Sequence, residues 1–245
     1  MRHVLTEEPG HPVEKRIDAF SVVRVPFFLE PNYDEDRPFI ESNRERLVQK
    51  WGGKEGWEHQ KRRHNLKGRG EEAGIPYFNL DRLAANSMAS HRLIQMLGKR
   101  YSLAVSEAIY DALNVYYFVE GNSLNDKPRL AAYVAHRLED LVSADSTQER
   151  LDEAELLAFL QGSEGREEIE TARAALEQMG VHGIPKFIIG GYTIVDGAAR
   201  SNEFIHAFRS IELNPEVIKP TVFGTILGVS PEVVELGSHT KESFA

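Results

Sequence analysis

The chain has 245 residues, 41% of them hydrophobic, and a formal charge of -9 from 38 acidic against 29 basic residues. That length carries one large domain or two small ones with a real core, and the acidic balance gives no general reason to bind nucleic acid or an anionic membrane. The sequence contains no cysteine, which excludes a disulfide framework, a thiolate zinc site, an iron–sulfur cluster and a cysteine nucleophile.

In chain order, Val13, Ile17 and Phe20 fall at helical spacing, and Val22 to Leu29 is a β-branched and aromatic run bounded by Pro26 and Pro31. This predicts a helix leading into a strand. Tyr33 to Asn79 is polar and rich in glycine, so an excursion with one short helix around Leu47, Val48 and Trp51 is expected. Ala85, Met88, Ala89, Arg92, Leu93 and Met96 then make a helical face, with Gly98 at its expected stop. Ala104, Ala108, Ile109, Leu113 and Tyr117 predict a second helix closed by Gly121. A third is expected after an Asp126 cap, with Pro128 early and Leu130, Val134, Leu138 and Leu141 on one side. Asp152 to Leu160 reads as a fourth, shorter helix.

Ser163 and Glu164 precede a helix carrying Ile169, Ala172, Leu176 and Met179, which Gly180 closes. The period then changes. Lys186 to Ile189 and Tyr192 to Val195 are strand-like runs joined by Gly190-Gly191, a pair suited to the positive φ angles of a tight hairpin turn. A last helix spans about 202–211, and beyond Glu212 a proline-bearing tail includes Ser230-Pro231-Glu232, a start for one more short helix. The order predicts an α/β domain with a helical insertion.

No stretch approaches the ~20 apolar residues of a membrane span, and Met1 to Glu8 lacks the apolar core of a signal peptide. A soluble, cytoplasmic protein is expected. His59 and His64, five residues apart, miss the geometry of a helical ligand pair, so no metal site is expected. Lys61, Arg62, Arg63, Lys67 and Arg69 read as a solvated face beside Glu71 and Glu72, without nucleic acid as a partner. Gly68, Gly70 and Gly74 do not fit a dinucleotide fingerprint. Tyr116, Tyr117 and Phe118 read as core packing, or as the lining of a hydrophobic pocket.

Gly180-Val181-His182-Gly183-Ile184-Pro185-Lys186-Phe187 resembles the loop before the hairpin in DsbA-type thioredoxin folds, where a valine or isoleucine precedes a cis-proline. An X-Pro bond costs only ~0.5–1 kcal/mol in the cis form against ~2.5–4 for other peptide bonds, so a fold that needs cis geometry puts proline there. Pro26-Phe27-Phe28-Leu29-Glu30-Pro31, Asn86-Ser87 with His91-Arg92-Leu93, Phe159-Leu160 with Ser163-Glu164-Gly165, and Asp196-Gly197-Ala198 are similar, in the same order, to segments of the FrnE branch of that family. Its relatives include 2-hydroxychromene-2-carboxylate isomerases and kappa-class glutathione transferases.

The resemblance implies an α/β, thioredoxin-like fold with a large α-helical insertion: residues 1–32 and 163–212 form the thioredoxin-like domain, 33–162 the insertion and 213–245 a tail. It implies an oxidoreductase ancestry and a substrate-facing loop at Gly183, Ile184 and Pro185, with His91 on a helix beside the cleft. Family members carry a Cys-Pro-x-Cys motif at the start of their first long helix, whose field makes the attacking thiolate. No residue here can take that role, so no catalytic residue is assigned and no dithiol exchange is expected. Two accounts stay open: loss of the first strand and motif from the sequence, or a degenerate member in which Arg2 to Leu5 and Thr6 to His11 replace them. Expected ligands are an extended peptide or a small thiol. No cofactor is required, although glutathione could be held through Thr6, since a hydroxyl can donate a hydrogen bond to a thiolate. A homodimer that completes the sheet is also compatible with the pattern.

Overall fold

The computed structural model describes residues 19–36, 42–72, 74–75, 77–142, 148–191, 193–197, 199–214, 222–235 and 239–240. The expected first helix up to Phe20 and the stretch from Arg2 to His11 lie almost wholly outside them. In order, the elements are β1 (Ala19–Phe20), α1 (Asn43–Lys50), α2 (Lys54–His64), α3 (Leu66–Glu72), α4 (Met88–Arg100) and α5 (Leu103–Asn114), which runs on into a π turn at Val115–Val119. Then come α6 (Lys127–Leu141), α7 (Glu153–Gln161), α8 (Arg166–Gln178), β2 (Lys186–Ile189), β3 (Thr193–Asp196), α9 (Ser201–Leu213), α10 (Val222–Ile226), α11 (Pro231–Glu235) and β4 (His239–Thr240).

The chain divides into two compact units, one of residues 1–29, 94–107 and 164–245, the other of 30–93 and 108–163, with the division falling inside α4 and α5. In the second unit α6 packs on α7. Asp126 caps α6 by accepting from the Arg129 amide, and Leu130, Val134 and Leu138 are completely buried. Leu141, expected on that face, is 37% exposed: eleven residues from Leu130 return it to the same side of the helix, but it is the last residue of α6, next to the Val142 cap. Asp152 closes a reciprocal capping box with Glu155 at the start of α7, and Leu156 and Leu160 are fully buried. Ile109 and Leu113 of α5 are buried together with Tyr116 rather than with Tyr117. Seven residues from Ile109 nearly complete two turns, and Tyr117 lies about 100° further round. The segment before Asn79 is more helical than expected, with α1, α2 and α3 where one short helix was predicted. A capping box between Ser42 and Glu45 starts α1, and the left-handed Asn65 separates α2 from α3.

In the first unit, Ile94 and Leu97 of α4, Leu103 of α5, Ile169, Ala172 and Leu176 of α8, and Ile205 and Ile211 of α9 build the core. Gly98 does not stop α4, which continues to Arg100. A Cβ there would stand 3.3 Å from Ser106 Oγ, so this glycine admits α5 at close range. Met179, expected inward, is 47% exposed at the cap of α8. The tail is part of this core: Phe223 is 2% exposed and Leu227 not at all, and α10 packs on α8. Residues 21–28 belong to no strand, which corrects the reading of Val22 to Leu29. They are held instead by side chains: Arg24 grips Glu107 through two bonds, and Gln95 donates to the Arg24 carbonyl. The sheets are two antiparallel pairs, β1 with β4 and β2 with β3. No helix among the described residues is long and apolar enough to cross a membrane.

Candidate functional site

The chain reverses direction after α8 through a left-handed glycine. Gly180 has φ +69°, its amide donates to the Glu177 carbonyl at 3.0 Å, and the Val181 amide donates to the Leu176 carbonyl at 2.9 Å. This pair of bonds is a Schellman motif. Val181 is 4% exposed and Leu176 is buried as well. Gly180 and Val181 together aim the chain out of the helix and into the loop His182–Pro185.

That loop is held at its two ends and open between them. Its exit is fixed by the cis Ile184–Pro185 peptide and by the Gly197 amide, which donates to the Pro185 carbonyl at 2.9 Å. His182, Gly183 and Ile184 are exposed, Ile184 by 51%. Among the described residues none of their backbone N–H or C=O groups takes part in a hydrogen bond. Backbone donors and acceptors are strong groups that are nearly always paired in folded proteins, with protein or with water. Three consecutive open residues therefore form a ready template for another extended chain.

β2 follows at once and pairs with β3 in the register Lys186↔Asp196, Phe187↔Val195, Ile188↔Ile194 and Ile189↔Thr193. Gly190 and Gly191 both take positive φ, at +61° and +79°, as the turn requires. Strand alternation places Phe187 and Val195 on one face, where Val195 is buried and Phe187 meets Phe204 of α9 edge-on, ring centres 4.8 Å apart. The other face carries Ile188, Ile194 and the Lys186–Asp196 ion pair, Nζ to Oδ1 2.7 Å. A cleft of about 370 Å³ lies between loop and hairpin, and His182, Gly183, Ile184, Pro185, Lys186 and Asp196 help to line it.

Of the predicted site residues, Gly183, Ile184 and Pro185 thus share one cleft. His91 is half-buried on α4 in the other unit, its amide bonded to the Ser87 carbonyl, and is not among the residues lining it. Thr6 lies outside the described residues. The Lys186–Asp196 pair escaped the sequence reading: counting outward from Gly190-Gly191 as a two-residue turn sets Lys186 opposite Val195, whereas the observed connection has three residues between Ile189 and Thr193 and brings Lys186 opposite Asp196. No group of acidic and histidine side chains suited to a metal occurs among the described residues. His64 meets Gln60 instead, and in the basic run Lys61 and Lys67 pair with Glu58 and Glu71.

Such a site can recognise a backbone and place charges beside it, but with no sulfur nucleophile anywhere in the chain it cannot exchange thiols. Residues 16–209 match the family model described as a DSBA-like thioredoxin domain. No curated protein matches the chain significantly.

Proposed function

The chain belongs to the DSBA-like thioredoxin domain family, and from that premise we propose that it is a non-catalytic member which binds an extended peptide at the loop 182–185. The observation that carries this reading is the open backbone of His182, Gly183 and Ile184 at the head of β2. An added strand gains affinity from main-chain bonds and selectivity from the side chains that alternate beside them. Here the exposed Ile184 offers an apolar contact, and Lys186 with Asp196 offers one charge of each sign.

The test is a titration of the isotope-labelled chain with an extended peptide and, separately, with reduced glutathione, following the amides of residues 182–186. Saturable shifts with the peptide alone support the proposal. Shifts with glutathione alone move the protein to the isomerase- and transferase-like branch, and a silent loop with both ligands overturns the binding role. In parallel, the pure protein is expected to reduce no insulin disulfides. Measurable turnover would contradict the chemistry of a chain without thiols.

A further inference from the structure

Several arginines of the described chain meet carboxylates, although Arg137 bonds the Tyr133 hydroxyl and Arg150 the Glu139 carbonyl. Arg24 holds Glu107 through Nε and Nη2 at 2.6 and 2.8 Å, Arg44 holds Asp81 through the same edge at 2.6 and 3.1 Å, and Arg209 bonds Glu212 at 2.6 Å. Arg82 does not. It is 8% exposed, and its guanidinium carbon lies 4.9 Å from the ring centre of Phe78, 4.9 Å from Tyr117 and 4.8 Å from Phe118. Phe78 and Phe118 themselves stack at 5.0 Å, and the Asn79 amide donates to the Phe118 carbonyl, tying the two segments together.

Nη1 of Arg82 donates to the Asn79 carbonyl at 2.8 Å, which fixes the plane of the fork. Its other edge is vacant among the described residues: Nε is buried with no acceptor, and Nη2 reaches solvent without one. Three ring faces attract a cation and offset part of its lost hydration, but they supply no acceptor for the N–H groups, and a buried charge without a counterion is costly. The vacant Nε/Nη2 edge is the one through which Arg24 and Arg44 grip their carboxylates, and its geometry suits two parallel bonds to a planar anion.

We propose that Arg82 and its ring cage are a binding site for a monocarboxylate carried on an apolar or aromatic group. The carboxylate meets Nη2 first and then Nε as the Phe78 ring, 44% exposed, gives way. The attached group lies against Phe78 and the neighbouring Tyr77, itself 57% exposed. A single guanidinium among rings matches one planar charge, whereas a phosphate dianion calls for more than one cation. The site lies wholly within the second unit and stands independently of the peptide-binding loop.

The experiment is a titration of the labelled full chain with N-acetylphenylalanine, its uncharged amide, and inorganic phosphate, following the Arg82 Nε–H resonance. The acid is expected to move it saturably while the amide and phosphate leave it in place. Arg82→Lys, which keeps the charge and loses the fork, is expected to weaken binding roughly tenfold. A resonance that the acid does not move, or that the amide or phosphate moves equally, overturns the proposal. Because that comparison uses the unmodified chain, it decides the matter even where the Arg82 variant fails to fold.

Discussion

Replacing Gly180 by alanine isolates one physical effect beside the loop. The residue holds φ +69°, and a Cβ built there meets no atom within 4 Å, so the substitution adds backbone strain without a clash. A left-handed alanine costs roughly 1–2 kcal/mol, and stiffening of the unfolded chain returns about 0.4–1 kcal/mol. The net loss is therefore about 1 kcal/mol, or roughly fivefold in the local opening equilibrium. The assay is hydrogen exchange at the Val181 amide, whose bond to the Leu176 carbonyl exists only while the Schellman turn is closed. Gly121→Ala is the control, because at φ +81° its Cβ would stand 2.4 Å from Asn79 Nδ2 and strain would be joined by a clash. Unchanged exchange in Gly180→Ala would refute the argument that the left-handed turn holds the loop. A loss as large as that of Gly121→Ala would refute the claim that the space around Gly180 is open. With the turn loosened, peptide affinity at residues 182–186 is expected to fall as well.

Leu160→Ala, at a fully buried position of α7, is expected to cost about 2–5 kcal/mol, read by chemical denaturation with Trp51 and Trp57 as fluorophores. Asp152→Ala removes the α7 cap and should cost about 1 kcal/mol in the same assay. Burial pushes the Tyr116 phenol up from 10.0 to about 12, so the fold favours its protonated form. Its contribution to stability is whole below pH 10 and is lost as the pH rises from there toward 12. Tyr116→Phe should flatten that alkaline loss in a denaturation series, and an unchanged slope would contradict it. Lys186→Glu places two like charges directly across β2 and β3 and should weaken both the hairpin and any peptide bound beside it. The double variant with Asp196→Lys should recover the hairpin, as amide exchange at Val195 would report, since Phe187 and Val195 form a hydrogen-bonded pair in this register.

The helices were most legible where a cap and a stripe coincided. Asp126 with Leu130, Val134 and Leu138, and Asp152 with Leu156 and Leu160, needed only local rules, because the capping bond and the burial both lie within a few residues. Gly180 and the pair Gly190-Gly191 were legible for the same reason: a positive φ is a property of one residue. Gly98 misled because a glycine that ends a helix and one that admits a neighbouring helix look alike in sequence. The difference lies in Ser106, reached only through the fold. Val22 to Leu29 misled in the opposite sense, its β-branched and aromatic composition being read as a strand, whereas a bond from Gln95 to the Arg24 carbonyl and bonds from Arg24 to Glu107, both distant in sequence, hold it outside any ladder. In the candidate site, proline and glycine marked the loop, but its openness is a matter of missing partners, which no residue type encodes. Arg82 was hidden for a related reason: Phe78, Tyr117 and Phe118 converge on it only after two segments are brought side by side.

The family match ends at residue 209, yet Phe223 and Leu227 fill the interior beside α8, and the Ser21 hydroxyl donates to the Val234 carbonyl. The segment by which the protein is recognised and the segment that closes its interior are thus of different lengths. An excised fragment trimmed to the recognisable borders would bare the apolar side of α8 to water, and its behaviour would report on that wound rather than on the loop at Pro185. Comparisons of binding among relatives are therefore best made between chains that keep their own version of α10.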